Sequence, residues 1–171
     1  IPLGSLSTSP SDSYLLEMWA RTDAEATADS VQIFGIDDDK SLDLNIITGQ
    51  LQLVAKGVTL NSQYTPLTWT PGQWHHVALN VLRSGTTPAF NLILDGTSVL
   101  SADADKVPAM SGIYLNLGRH MQGAIDEVRL WHGTHVQDDI VENIYNRMDP
   151  KAASGLVGYY PMENTYYDDY H

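Results

Sequence analysis

Apolar residues in this chain recur at every second position, in runs too short for helices, and Gly, Pro, Asp and Ser break the runs about every 8 to 12 residues. Such a pattern admits a stack of short antiparallel strands and little else. In residues 14–21, Tyr14, Leu16, Met18 and Ala20 share the face assigned to the core, and Leu15, Glu17, Trp19 and Arg21 share the other. Residues 31–36 form the next run. Residues 42–46 and 50–54 alternate on either side of Ile47, Thr48 and Gly49, which predicts a hairpin closed through a glycine turn. A further short strand follows Lys56 and Gly57. In residues 73–82, His75, Val77, Leu79 and Val81 oppose Trp74, His76, Ala78, Asn80 and Leu82. Neighbouring histidines of a strand point to opposite sides, so His75 and His76 read as structural and not as a chelating pair. Residues 90–94 lead into the tight turn Asp95-Gly96 and a return at 98–100, and strands at 113–117, 123–131 and 156–163 complete the set.

One segment changes period. Val136, Ile140, Ile144 and Met148 lie four apart, which predicts a short amphipathic helix with Asp138 and Asp139 in its first turn and Asp149-Pro150 at its end. Of Trp74 and Trp131, at least one is expected beneath that helix.

The strand at 123–131 carries the sharpest expectation. A strict two-residue period puts Asp126 in phase with Ala124, Val128 and Leu130, on the core face, with Glu127 pointing to the opposite side. A carboxylate buried there must be met by a cation or by several donors. Calcium bound at Asp126 is the favoured reading, and backbone donors are the alternative. Asp37, Asp38 and Asp39, with Asp43 nearby, also suggest a calcium loop, although the spacing is not that of a helix-loop-helix site and Asp favours turns on its own account.

Composition narrows the partners. The 171 residues include no cysteine, which removes disulfides and thiolate chemistry, and are enough to bury a core without such staples. Nine basic against 21 acidic residues give a formal charge of −12, a field that repels nucleic acid and anionic membranes. No segment has the roughly 20 apolar residues of a membrane-spanning helix. The sequence opens on Ile1-Pro2-Leu3 without an initiator methionine, so it is expected to be part of a longer chain with neighbouring domains.

Six segments in order, YLLEMWAR at 14–21, GQWHHVA at 72–78, LDG at 94–96, LG at 117–118, GAIDEVRLW at 123–131 and GLVGYYPM at 155–162, resemble the successive strands of the laminin-G-like, concanavalin A-like lectin/glucanase superfamily. The resemblance implies an all-β fold: a two-sheet antiparallel jelly-roll sandwich with one short helix near the C-terminus. It divides the chain into a strand remnant and connector at 1–13, the sandwich at 14–163 and a tail at 164–171. It also implies a structural calcium held in part by the acid at Asp126. Two departures stand out. The strand that relatives place upstream of the segment matching Ile1-Pro2-Leu3 is expected to be absent, displaced or cut away, and Gln137 stands where they often carry a Ser or Thr helix cap.

The glucanase branch hydrolyses glycosides with carboxylates alternating along one strand, because retaining chemistry needs two of them about 5 Å apart on one face. No strand here has that run, and no G-x-S-x-G elbow occurs. The expected function is therefore a non-catalytic carbohydrate-binding or adhesive module of a secreted or cell-surface protein. The alternative is a structural or protein-interaction spacer, with glycoside hydrolysis the least favoured. The partner is then a glycan or an extracellular protein. Candidate ligand-binding residues are Trp19, Glu17, Arg21, His76, Asn80 and Arg129, with Asp126 for the metal.

Overall fold

The computed structural model describes residues 12–23, 31–36, 42–55, 58–60, 68–84, 88–106, 115–146, 149, 151 and 153–162. The expected aspartate loop at 37–39, the connector at 1–11 and the tail at 164–171 lie outside them. The strands are β1 (Tyr14–Thr22), β2 (Val31–Ile36), β3 (Leu42–Ile47), β4 (Gln50–Ala55), β5 (Val58–Thr59), β6 (His75–Leu82), β7 (Ala89–Leu94), β8 (Thr97–Asp103), β9 (Leu115–Leu117), β10 (Gly123–His132) and β11 (Leu156–Tyr160). One helix, α1, spans Gln137–Asn143, and a single 3₁₀ turn spans Ala104–Lys106.

The strands make two antiparallel sheets: a six-stranded one ordered β11-β10-β1-β6-β7-β8, and a five-stranded one ordered β5-β4-β3-β2-β9. Their inner faces are the alternating apolar sets. Tyr14, Leu16, Met18 and Ala20 of β1 meet Phe34, Leu44 and Leu53 of the other sheet in one buried core. Burying each such side chain stabilises the fold by about 1.5–3 kcal/mol. Two hairpin turns use left-handed pairs, Thr48 and Gly49 with φ of 49° and 74°, and Asp95 and Gly96 with 49° and 81°, the backbone that matches strand twist. Asp95 also ties its turn to β6, its carboxylate accepting from the His76 backbone N–H at 2.8 Å while lying 2.7 Å from His75 Nδ1.

The outer face of the six-stranded sheet carries a second, smaller core. Ile140 of α1 packs against Leu15, Ala78, Ile93 and Trp131. Trp131 is thus the tryptophan beneath the helix, whereas Trp74 is exposed. The helix is shorter than its apolar spacing suggests. Val136 is its exposed N-cap with no side-chain cap bond, and the helix ends at Asn143, ahead of Asp149. Gln137 does not cap it either. Its side-chain amide donates instead to the Gly96 carbonyl at 2.9 Å, fastening the helix start to the β7–β8 turn.

The expected phase of β10 is wrong in its first half. Glu17 pairs with Arg129 but Trp19 pairs with Asp126, so β10 spends one residue more than β1 across this step. This is a β-bulge, and Glu127 in it adopts φ 49°. The extra residue rotates the strand. Ile125, opposite Ala20, packs on the main core, and Asp126, opposite Trp19, moves to the outer face. Val128 and Leu130 resume the inward positions. Asp126 is half-buried on the outer side, and its Oδ1 accepts the Glu127 backbone N–H at 2.8 Å.

Candidate functional site: an aromatic groove beside a buried polar layer

Cross-strand pairing sets side chains of β1, β6 and β10 in rows on the outer face: Trp131, Leu15 and Asn80; then Arg129, Glu17 and Ala78; then Asp126, Trp19 and His76. Alternation assigns these residues to the outer face but does not reveal that the helix segment covers the first two rows. Glu17, His76, Asn80 and Arg129 each expose 2% of their surface or less. All four are thus buried: Glu17 and Asn80 lie beneath the helix segment, His76 lies against the Trp19 ring, and Arg129 keeps only an edge on the groove where the covering ends.

They form a polar layer that seats the helix. Trp131 Nε1–H donates to Glu17 Oε1 at 2.9 Å, His76 Nε2 lies 3.3 Å from Glu17 Oε2 off the line of a hydrogen bond, and Arg129 stands 3.7 Å from Glu17. A carboxylate this deep is tolerated because the Trp131 donor and the Arg129 guanidinium both stand against it. Asn80 donates to the His135 carbonyl at 2.8 Å. Arg129 does most of the fastening. It donates to the Asn143 carbonyl at 3.2 Å, the Asn146 carbonyl at 2.8 Å and Glu127 Oε2 at 2.7 Å. The helix has no basic residue in its last turn, so the sheet supplies the cation that its carbonyl end favours. Tyr159 of β11 completes the cluster, its hydroxyl 2.8 Å from both Glu127 oxygens. Burial holds the His135 imidazole below the ordinary histidine value, only partly offset by the Glu17 charge.

Where the covering ends, the third row opens into a groove of about 420 Å³. Trp19, Trp74 and Tyr145 supply its aromatic surface, and Asp126, Glu127, Arg129 and Asn146 its polar one. The Trp19 and Tyr145 ring centroids are 5.6 Å apart at 41°, and Trp19 Nε1–H donates to the Ile144 carbonyl at 3.3 Å. Tyr145 is 85% exposed and Trp74 40%. Arg21 sits at the rim, its guanidinium 5.2 Å from the centre of the Trp74 ring and paired with Asp23 at 3.0 Å. Of the six expected ligand-binding residues, the groove thus gathers Trp19 and the edge of Arg129, with Arg21 at its border.

Trp74 and Tyr145 are the contributors that sequence reasoning left out. Trp74 precedes β6 rather than lying within it, and Tyr145 sits just past the helix. Their signal was faint: two large aromatics adjoining elements whose apolar positions were already filled. Asp126 and Glu127, expected on opposite sides, both line the groove because of the bulge. With Asp126 turned outward, burial no longer calls for an ion there. Glu127 is taken by Arg129 and Tyr159, and among the described residues no group of three or more His, Cys, Asp or Glu side chains is placed to hold a metal ion. Among the described residues no helix is long and apolar enough to cross a membrane.

Two antiparallel sheets packed face to face, with a helix seated on the outside of one, define a jelly-roll sandwich of the lectin type. The family model of the concanavalin A-like lectin/glucanases superfamily matches residues 1–141, and the chain belongs to that superfamily. Among solved structures it is similar to a Bacteroides ovatus protein to which carbohydrate binding is ascribed, with TM-score 0.69 and 19% identity over 94% of this chain and 48% of that one. It is also similar to domain 4 of AbnA, an extracellular arabinanase of Geobacillus stearothermophilus, in complex with arabinotriose, with TM-score 0.53 and 14% identity over 76% of this chain and 65% of that one. A third similarity is to the binding domain of botulinum neurotoxin serotype G, with TM-score 0.53 and 10% identity over 77% of this chain and 35% of that one. At these identities the likeness is one of fold, and the chain spans about half or less of the first and third. No curated protein sequence matches it.

Proposed function

We propose that the chain is a non-catalytic glycan-binding module of a secreted or cell-surface protein, and that the groove between Trp19, Trp74 and Tyr145 is its site. The observation that carries this reading is three aromatic side chains bordering one open groove with carboxylate and amide acceptors beside them. Sugar rings stack their C–H faces on aromatics and direct hydroxyls to such acceptors. The carbohydrate binding ascribed to the Bacteroides ovatus protein and the arabinotriose bound in the AbnA domain support the same reading by analogy of fold. Glu127 has Arg129 and Tyr159 on its carboxylate, which suits a structural anion better than a group that shuttles protons.

The test is a glycan array followed by calorimetry on the intact chain. Binding that Tyr145→Ala weakens about three- to tenfold supports the reading, since a stacking contact on an aromatic ring is worth about 0.5–1.5 kcal/mol. Tyr145 is so exposed that its removal leaves the core untouched. Silence across a broad array would favour instead a protein-interaction spacer, a role that the exposed Val136, Val141 and Val157 would suit.

A further inference from the structure

The groove's charge is unevenly balanced. Glu127 is neutralised by Arg129 at 2.7 Å, and the two terminal nitrogens of Arg129 also donate to the carbonyls of Asn143 and Asn146. At the rim, Arg21 is neutralised by Asp23 at 3.0 Å. Asp126 is the exception. Its Oδ1 accepts one backbone N–H, and among the described residues no cation pairs with it. It is held half-buried beside Trp19 by a bulge whose left-handed Glu127 is a backbone conformation non-glycine residues rarely adopt. Cations are favoured over the faces of Trp and Tyr rings, as Arg21 over Trp74 already shows. The chain's formal charge of −12 adds a long-range field of the same sign.

We propose that the groove selects glycans bearing a protonated amine, with the ammonium of an amino sugar against Asp126 and the sugar ring on Trp19 and Tyr145. This rests on the glycan-binding reading and adds its substrate class. Neutral sugars then bind more weakly, and uronic acids are repelled.

The test compares a glucosamine tetramer, its N-acetylated counterpart and an oligogalacturonate by calorimetry, with chelator present, on the intact chain and on Asp126→Asn, Trp19→Ala and Tyr145→Ala. The glucosamine tetramer is expected to bind about fivefold tighter than the N-acetylated one, the upper end for a partly exposed ion pair. The preference should shrink as salt rises, and Asp126→Asn should bring the two within about twofold. Asn keeps an acceptor for the Glu127 N–H, so the bulge survives the change. Equal affinities, both lost in Tyr145→Ala, would overturn charge selection while leaving the glycan site standing. If the glucosamine tetramer does not bind while the array finds another glycan, amino-sugar selection fails and the glycan site stands; if binding survives Trp19→Ala and Tyr145→Ala together, the glycan site is not this groove.

Discussion

Arg129→Met tests whether the sheet, rather than the helix's own sequence, holds the helix in place. Methionine roughly preserves the buried stem while removing the guanidinium. Three hydrogen bonds disappear, to the Asn143 and Asn146 carbonyls and to Glu127, together with the ion pair at 3.7 Å to Glu17. Glu17 keeps Trp131 and His76, but its side chain is only 3% exposed and cannot recover a hydration shell. Removing one partner of a buried pair costs about 3–5 kcal/mol because the other charge is left uncompensated. That is a large share of the roughly 5–15 kcal/mol that stabilises a domain. For a chain of this size it corresponds to a fall in Tm of about 6–20 °C. Arg129→Lys should fall between, since one ammonium cannot serve two carbonyls and a carboxylate in the geometry of the planar fork. Urea denaturation gives the free energy, and glycan affinity of the folded variant reports whether Tyr145 and Asn146 have moved. A loss below about 1 kcal/mol with unchanged affinity would refute the role assigned to Arg129.

Two further outcomes follow from the same geometry. Chelator is expected to leave the unfolding temperature unmoved, because no convergent set of ligating side chains surrounds Asp126 among the described residues; a fall that Asp126→Asn abolishes would put calcium there after all. His135, whose pKa burial lowers from 6.5, binds its proton more readily unfolded than folded, so stability should decline as pH drops below 6.5 and on through the lower folded value. Its Nε2 is buried without a partner, and His135→Gln should flatten that decline in urea melts repeated across pH.

Strand positions were legible because a half-buried strand must alternate, and β1, β2, β3, β4 and β6 lie within two residues of the runs read from periodicity. The covering of the outer face was harder to read. Alternation says that Glu17, His76, Asn80 and Arg129 share a face, and says nothing about what lies over it. A clue was present in two halves. The helix segment has Ile140 and Ile144 in need of an apolar bed, and Leu15, Ala78 and Ile93 form one with Trp131 on the sheet's outer side. Matching those halves puts the helix over Glu17 before any coordinates are known.

The bulge also left a mark in the sequence. Ile125, Val128 and Leu130 are the inward apolar residues of β10, and the gap of three between the first two cannot belong to an unbroken period of two. Reading Asp126 in phase with Val128 made the acid inward-facing and left Ile125 outside, an exchange unfavourable on both counts. An extra residue between them removes both penalties: isoleucine enters the core, and the carboxylate keeps access to water. At the head of the same strand, a Cβ on Gly123 would run into the Arg21 carbonyl oxygen, so close pairing of β1 and β10 rests on glycine there. The strand thus begins with a residue that permits tight pairing and four positions later breaks its own register. That break sets Asp126 and Glu127 on the side of Trp19, so the phase shift that resolves the buried acid also furnishes the groove with its carboxylates.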